Sequence, residues 1–258
     1  MRTLLVCALL AAASAQADEW SKRFDVTGKP ELRVTADDAA VILRAGAGNA
    51  VEARLTTHGW TIGSGGVRIT THQNGNRVEI EVRVPGGNWN FGNHSARLEL
   101  SVPGELRAEV RTGDGNVSAH ALKGEFRLTT GDGEIEAESL DGTLTARSGD
   151  GGVKVRGRFD QLDVRTDDGS VSAAVSPGSK MSGPWRFESG DGSVTIRIPE
   201  GFAADLDAHT GDGDISVRLP VATAGFKTSE NDFRGKLNGG GLPLRIHTGD
   251  GSIHIERL

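Results

Sequence analysis

FRLTTGDGEIEAESLDGTLTARSGDGGVKV, residues 126–155, decides the fold of this 258-residue chain. Thr130-Gly131-Asp132-Gly133 returns after 18 residues as Ser148-Gly149-Asp150-Gly151. Apolar side chains alternate on both sides of each turn. Phe126 and Leu128 precede the first turn, and Ile135 and Ala137 follow it. Leu144 and Ala146 precede the second, and Val153 and Val155 follow it. A period of two means strands with one buried face. Eighteen residues hold two or three such strands with their turns, and no helical stretch separates them.

The same turn recurs outward in both directions. Thr112-Gly113-Asp114-Gly115 lies before it. Thr166-Asp167-Asp168-Gly169, Ser189-Gly190-Asp191-Gly192, Thr210-Gly211-Asp212-Gly213 and Thr248-Gly249-Asp250-Gly251 lie after it. A weak copy, Thr228-Ser229-Glu230-Asn231, fills the longest gap, so successive spacings are 18, 18, 18, 23, 21, 18 and 20. A unit this small cannot bury its apolar side alone and must stack on its neighbour. The reading is an all-β chain, a β-solenoid (single-stranded β-helix) of about 18-residue coils. Eight rungs about 4.8 Å apart make a rod of about 38 Å. Extra residues fall in 176–184 and 199–204, so insertions gather at the edge opposite the turn. The second glycine is replaced once, by Asn231. Asn tolerates a positive φ best after Gly, which predicts left-handed backbone at 115, 133, 151, 169, 192, 213, 231 and 251.

Residues 18–103 are β-rich but irregular and are expected to form an N-terminal cap on a repeat domain spanning 104–258. Val78 to Pro85 and Arg97 to Pro103 alternate cleanly, and Thr35-Ala36-Asp37-Asp38 reads as a degenerate first turn. Ahead of the cap, Arg2, the apolar run Leu4 to Ala13 and Ala15-Gln16-Ala17 have the pattern of a secretory signal peptide, residues 1–17. Cleavage near Ala17 then yields a periplasmic or secreted protein with no transmembrane anchor. The one cysteine, Cys7, lies in the removed segment, which excludes disulfide and thiol chemistry from the mature chain. The mature chain carries 28 basic against 35 acidic side chains, a net charge of −7. That balance argues against a nucleic-acid partner. Glycine, 37 residues in all, supplies an unusual share of a core without tyrosine.

The signal peptide, the VEIEVRVP (78–85) and LELSVP (98–103) strands and the repeated turns together resemble the bacterial putative-adhesin β-solenoid domain family, over roughly residues 30–258. The resemblance implies the solenoid fold and an adhesin-like role in the cell envelope. It brings no catalytic motif.

The residues that could carry chemistry begin with a column of carboxylates: Asp114, Asp132, Asp150, Asp168, Asp191, Asp212 and Asp250, with Glu230 in the weak copy. Carboxylates about 5 Å apart repel by about 0.9 kcal/mol per neighbour in water. Calcium between turns, backbone N–H groups two residues on, or a basic column would offset this. Arg111, Arg147, Arg165, His209, Lys227 and His247 each precede the turn hydroxyl and are expected outward beside the carboxylates. The calcium-binding nonapeptide has half this period, so the calcium ladder is the weaker alternative. The Thr/Ser column (112, 130, 148, 166, 189, 210, 228, 248) falls in the inward phase, against a flat ice-binding array. Trp89 and Phe91, in a Gly/Asn-rich loop, offer a platform for a glycan or protein partner. Trp185 aligns with core leucines. The seven histidines form no zinc motif, and no GxSxG or SxxK is present.

These residues point to an exported, non-catalytic structural or interaction protein without a cofactor, its partner an unidentified protein or glycan of the cell envelope. The alternatives are a calcium-dependent binding module and a polysaccharide-active β-helix enzyme. Strand Ile253-His254-Ile255-Glu256-Arg257-Leu258 has no visible cap, so an open edge and self-association through the solenoid ends are expected, with Glu256 and Arg257 acting against it.

Overall fold

The computed structural model describes residues 17–85, 94–219, 221, 222, 229 and 231–258. The described residues form strands and turns with no helix. The chain is all-β, a β-helix-like stack in which each repeat with a GDG turn contributes one strand before the turn and one after it.

The strands before the turn form one column. In spatial order it starts with β5 (Arg68–Asn74), β6 (Arg77–Arg83), β2 (Glu31–Ala36), β8 (Glu105–Thr112) and β10 (Lys123–Thr129). It continues through the later halves of β11 (Ile135–Ser148) and β12 (Val153–Thr166) to β14 (Trp185–Ser189). Then come β20 (Pro243–Thr248), β16 (Ala204–Thr210), β19 (Asp232–Leu237) and β18 (Val221–Ala222). The strands after the turn form the second column. It runs β1 (Ala17–Asp25), β4 (Ala50–His58), β7 (Ser95–Val102), β3 (Ala40–Ala45) and β9 (Val117–His120). Through the early halves of β11 and β12 it reaches β13 (Val171–Val175), β15 (Val194–Ile198), β21 (Ile253–Arg257) and β17 (Ile215–Arg218). The middle of each column is parallel, and the pairings β1–β4, β4–β7, β5–β6, β16–β19 and β18–β19 toward the ends are antiparallel.

The rungs follow the chain only from residue 105 to 198. At one end β2 and β3 enter between β6/β7 and β8/β9. At the other, β20 and β21 enter between β14/β15 and β16/β17. This corrects the expectation of an open edge at Ile253–Leu258, because β21 is hydrogen-bonded on both sides. The strand that follows the weak copy is no in-register rung. Thr228 and Glu230 lie outside the described residues, and Asn231 leads into β19, which runs antiparallel to β16. The degenerate turn near residue 36 is a true rung, offset by one residue: Ala36 pairs with Thr112, and Gly113 N–H donates to Asp37 O at 2.5 Å. The long insertions, 176–184 and 199–203, lie at the edge opposite the turn as expected.

The core is the space between the two columns. From the first come Val110, Leu128, Ala146, Val164, Phe187, Ile246 and Ala208, all buried and in register. From the second come Ala119, Ala137, Val155, Ala173, Ile196 and Ile255. Burying one Val, Leu or Phe side chain contributes about 1.5–3 kcal/mol, so stacking itself stabilises each rung. Trp185 is fully buried there and touches Phe202 at 5.2 Å between ring centroids. At the β1 end an inward-register lysine, Lys22, donates to Thr71 of β5 at 2.8 Å, a charge placed where it discourages further strand addition.

The turn glycines are required for a reason other than a positive φ. None of Gly115, Gly133, Gly151, Gly169, Gly192, Gly213 or Gly251 has left-handed backbone. A Cβ at Gly133 would instead sit 2.3 Å from the carbonyl oxygen of Gly115 on the next rung. The turns stack by direct hydrogen bonds, with Gly131 N–H donating to Gly113 O and Gly149 N–H to Gly131 O, each at 2.6 Å. At the second glycine, backbone packed this closely leaves no room for a side chain.

Candidate interaction surfaces

Each turn places one hydroxyl inside and one carboxylate outside. Thr112, Thr130, Ser148, Thr166, Ser189, Thr210 and Thr248 are buried. Thr130 Oγ1 donates to Gly115 O at 3.0 Å, Ser148 Oγ to Gly133 O at 2.8 Å and Ser189 Oγ to Gly169 O at 2.8 Å. Within a rung the second glycine returns the bond, Gly133 N–H to Thr130 Oγ1 at 3.1 Å and Gly192 N–H to Ser189 Oγ at 2.9 Å. The ladder passes through the interleaved end in spatial order, since Thr248 donates to Gly192 O and Thr210 to Gly251 O, both at 2.8 Å. Buried N–H and C=O groups need partners, and this column supplies them.

Asp114, Asp132, Asp150, Asp168, Asp191, Asp250 and Asp212 follow one another along the exposed turn edge, one per rung. Among the described residues none of the seven carboxylates forms an ion pair. The basic column does not stand beside them. Arg111 pairs with Glu109 at 2.6 Å, and Arg165 with Asp163 at 3.0 Å and Glu188 at 3.3 Å. Arg147 reaches Asp163 at 3.9 Å. Residues two apart on a strand share a face, so these cations meet strand carboxylates before they meet the turn. Lys227, like Trp89 and Phe91, lies outside the described residues. No three His, Cys, Asp or Glu side chains converge on a metal-sized point among the described residues.

Two arrangements arise from rung order and curvature and from no local motif. His209 and His247 stack face to face, with centroids 5.2 Å apart and planes 3° from parallel. His209 Nδ1 lies 2.9 Å from Asp232 Oδ1, and this hydrogen bond holds the Asp232 carboxyl below its ordinary value. The residues are 38 apart in the chain and meet only because β20 and β16 are neighbours. At the other end, the outer faces of β1, β4, β7 and β3 curve into a groove of about 550 Å³. Ile42, Arg44, Arg54, Glu99 and Ser101 line it, and among the described residues Arg44 forms no ion pair. Its residues come from four strands between positions 21 and 101, so no local motif announces it.

At the insertion edge Arg158 grips Asp160 through two bonds of 2.6 and 2.9 Å, and Asp141 through one of 2.6 Å. The guanidinium lowers the Asp160 pKa and is itself pushed up by both carboxylates. No helix of the described residues is long and apolar enough to cross a membrane.

The Toastrack DUF4097 family model matches residues 31–256. Among solved structures, a "putative adhesin" from Parabacteroides merdae ATCC 43184 is similar at 12% identity, covering 93% of this chain and 96% of that one, with a TM-score of 0.47. A "putative lipid binding protein" from Parabacteroides distasonis ATCC 8503 is similar at 13% identity, 93% and 97% coverage and a TM-score of 0.46. A "putative cell adhesion protein" from Clostridium sporogenes ATCC 15579 is similar at 17% identity, 94% and 100% coverage and a TM-score of 0.40. No curated protein matches the chain.

Proposed function

The chain belongs to the Toastrack DUF4097 family, and from that premise we propose that it is an exported, non-catalytic interaction protein of the cell envelope, built on a β-solenoid scaffold. The observation that carries the reading is the repetition of its outer faces. Arg127, Thr145, Asp163, Arg186, Arg245 and Asp207 form one straight row, one side chain per rung, on the first column. A row of this kind offers the same small set of polar groups at about 4.8 Å intervals. That suits a long, multivalent contact with an extended glycan or protein better than chemistry at one point. Export rests on the leader pattern of residues 1–17.

The test is an array of envelope glycans probed with the protein lacking residues 1–17, with the bound glycans then sized. Retention without shortening is expected. Release of shorter products would sink the non-catalytic reading and favour a polysaccharide-active enzyme. A second reading, calcium-dependent binding through Asp114, Asp132, Asp150, Asp168, Asp191, Asp212 and Asp250, is favoured by one observation: among the described residues these carboxylates form no ion pair.

A further inference from the structure

Leu43 of β3, Leu100 of β7 and Ala53 of β4 are register partners, and all three are buried. The alternation of a strand turns their neighbours outward. Two outer rows result. Arg54, Glu99 and Ile42 form one, and Glu52, Ser101 and Arg44 form the next. Ser101 is short and stands between two long side chains, so it makes a floor rather than a wall. Gly46 keeps that floor open, because a Cβ there would collide with Ser101 Oγ. The rows enclose the groove of about 550 Å³. Small-molecule sites span about 300–1,000 Å³, so the groove has the size of one.

The charges along the groove are unequally satisfied. Arg23 holds Glu52 at 2.5 Å, and Arg54 holds Glu19 at 2.8 Å. Among the described residues neither Arg44 nor Glu99 forms an ion pair, and the Ser101 hydroxyl makes no hydrogen bond. Arg54 feels the charge of Glu99 through space, as the smallest influence on its guanidinium. Arg44 and Glu99 stand on adjacent strands, diagonal to each other, since Arg44 pairs with Ser101 and Ile42 with Glu99. Long side chains reach across such a diagonal. These two do not meet, and both line the groove. Ile42, Glu99 and Ser101 are half-buried, while Arg44 is exposed. A purely anionic ligand drawn to Arg44 would meet the Glu99 carboxylate, and a purely cationic one drawn to Glu99 would meet the guanidinium. A ligand carrying both charges satisfies both groups.

We propose that this groove binds a small zwitterion of the dipeptide class, with its carboxylate on Arg44, its ammonium on Glu99 and its apolar side chain against Ile42. Ser101 Oγ then donates to the ligand carboxylate. The inference does not rest on the functional reading above, whose polar row lies on the first column.

The test uses alanyl-leucine, N-acetyl-alanyl-leucine and alanyl-leucine amide, titrated into the protein by calorimetry at low salt. Backbone amide resonances locate the bound peptide. Saturable binding of alanyl-leucine is expected, with the largest shifts at Ile42, Arg44, Glu99 and Ser101. The acetylated peptide lacks the ammonium and the amide lacks the carboxylate. Each is expected to bind about tenfold or more weakly, the cost of one charge-assisted hydrogen bond. Arg44→Gln should weaken the free and the acetylated peptide and leave the amide unchanged. Glu99→Gln should weaken the free peptide and the amide and leave the acetylated peptide unchanged. A merely structural role for either residue would move all three peptides together. No saturable binding of alanyl-leucine at millimolar concentration overturns the proposal. Equal binding of the three peptides, or shifts centred on another face, overturns it as well. If either variant does not fold, the three peptides on the wild-type protein decide.

Discussion

Thr166 Oγ1 donates to the carbonyl of Gly151 on the neighbouring rung at 2.9 Å, and both groups are inaccessible to water. Gly169 N–H in turn donates to Thr166 Oγ1 at 3.2 Å. The same hydroxyl also reaches Gly149 O at 2.8 Å, so it serves two acceptors of one rung and a donor of its own. Thr166→Val keeps the shape and removes all three bonds. Each buried group left unsatisfied costs about 1–3 kcal/mol, so a loss of about 2–4 kcal/mol is expected in denaturant melts. Thr166→Ser is expected to stay within about 1 kcal/mol, because Ser148 and Ser189 fill the equivalent place with bonds of 2.8 Å. Equal losses for Val and Ser would show that the methyl group, not the hydroxyl, matters.

Gly133 separates two explanations of a turn glycine. If left-handed backbone were the requirement, Asn would be tolerated and Ala would not. The requirement is space: any Cβ meets Gly115 O at 2.3 Å. Gly133→Ala and Gly133→Asn should therefore both destabilise by at least about 1–3 kcal/mol, the cost of overpacking. Gly131→Ser should cost less, since a Cβ there meets Gly113 O at 2.9 Å and Asp167 already occupies the corresponding place in another rung. Thermal melts in which Asn is spared and Ala is not would restore the left-handed reading.

The alternation around Leu128 and Ile135 made the strands legible, and the recurring GDG turn made the stack legible. Rung order was not. Ile246 lies between Phe187 and Ala208, yet each of these residues sits in the same inward pattern. A repeat whose units share one pattern specifies that rungs stack but not which stacks on which. The carboxylate ridge was legible from spacing alone. The partners of Arg111 and Arg165 were not, because the choice between a turn carboxylate and a strand carboxylate depends on side-chain reach. The His209–His247 stack and the groove beside Arg44 follow from rung order and curvature, which no local pattern encodes.

The fork of Arg158 on Asp160 carries a pH signature. Its guanidinium holds the folded-state pKa of Asp160 below the ordinary value. A depressed carboxylate stabilises the fold above its unfolded pKa, about 3.9, and the contribution fades as pH falls through the lower folded value. Asp160→Asn should lower the melting temperature at pH 7 by no more than about 2 °C, because the pair is part-exposed and solvent-screened. The gap between wild type and variant should close as pH drops from about 5 toward 2. A gap independent of pH would assign the loss to packing around Phe159 and Trp185 instead.

The last prediction concerns the turn ridge. Asp132 stands between Asp114 and Asp150, and among the described residues none of the three forms an ion pair. What makes the row tolerable is water. At about 5 Å the repulsion in a high dielectric is under about 1 kcal/mol per pair, and salt at physiological strength screens it over about 8 Å. The melting temperature should therefore rise with sodium chloride. Asp132→Asn should be neutral or slightly stabilising at low salt, an advantage that disappears at high salt. Calcium at millimolar concentration should add no more than about one or two degrees beyond an equal ionic strength of sodium, and a chelator should do nothing. Bridging calcium requires the opposite. A site held at 100 times its dissociation constant adds about 2.7 kcal/mol, and several such sites would move the melt by many degrees. In that case Asp132→Asn would abolish part of the calcium response instead of relieving a repulsion. A chelator-induced fall in melting temperature, reversed by calcium and not by magnesium or sodium, would move the ridge from a solvated edge to a metal-binding one.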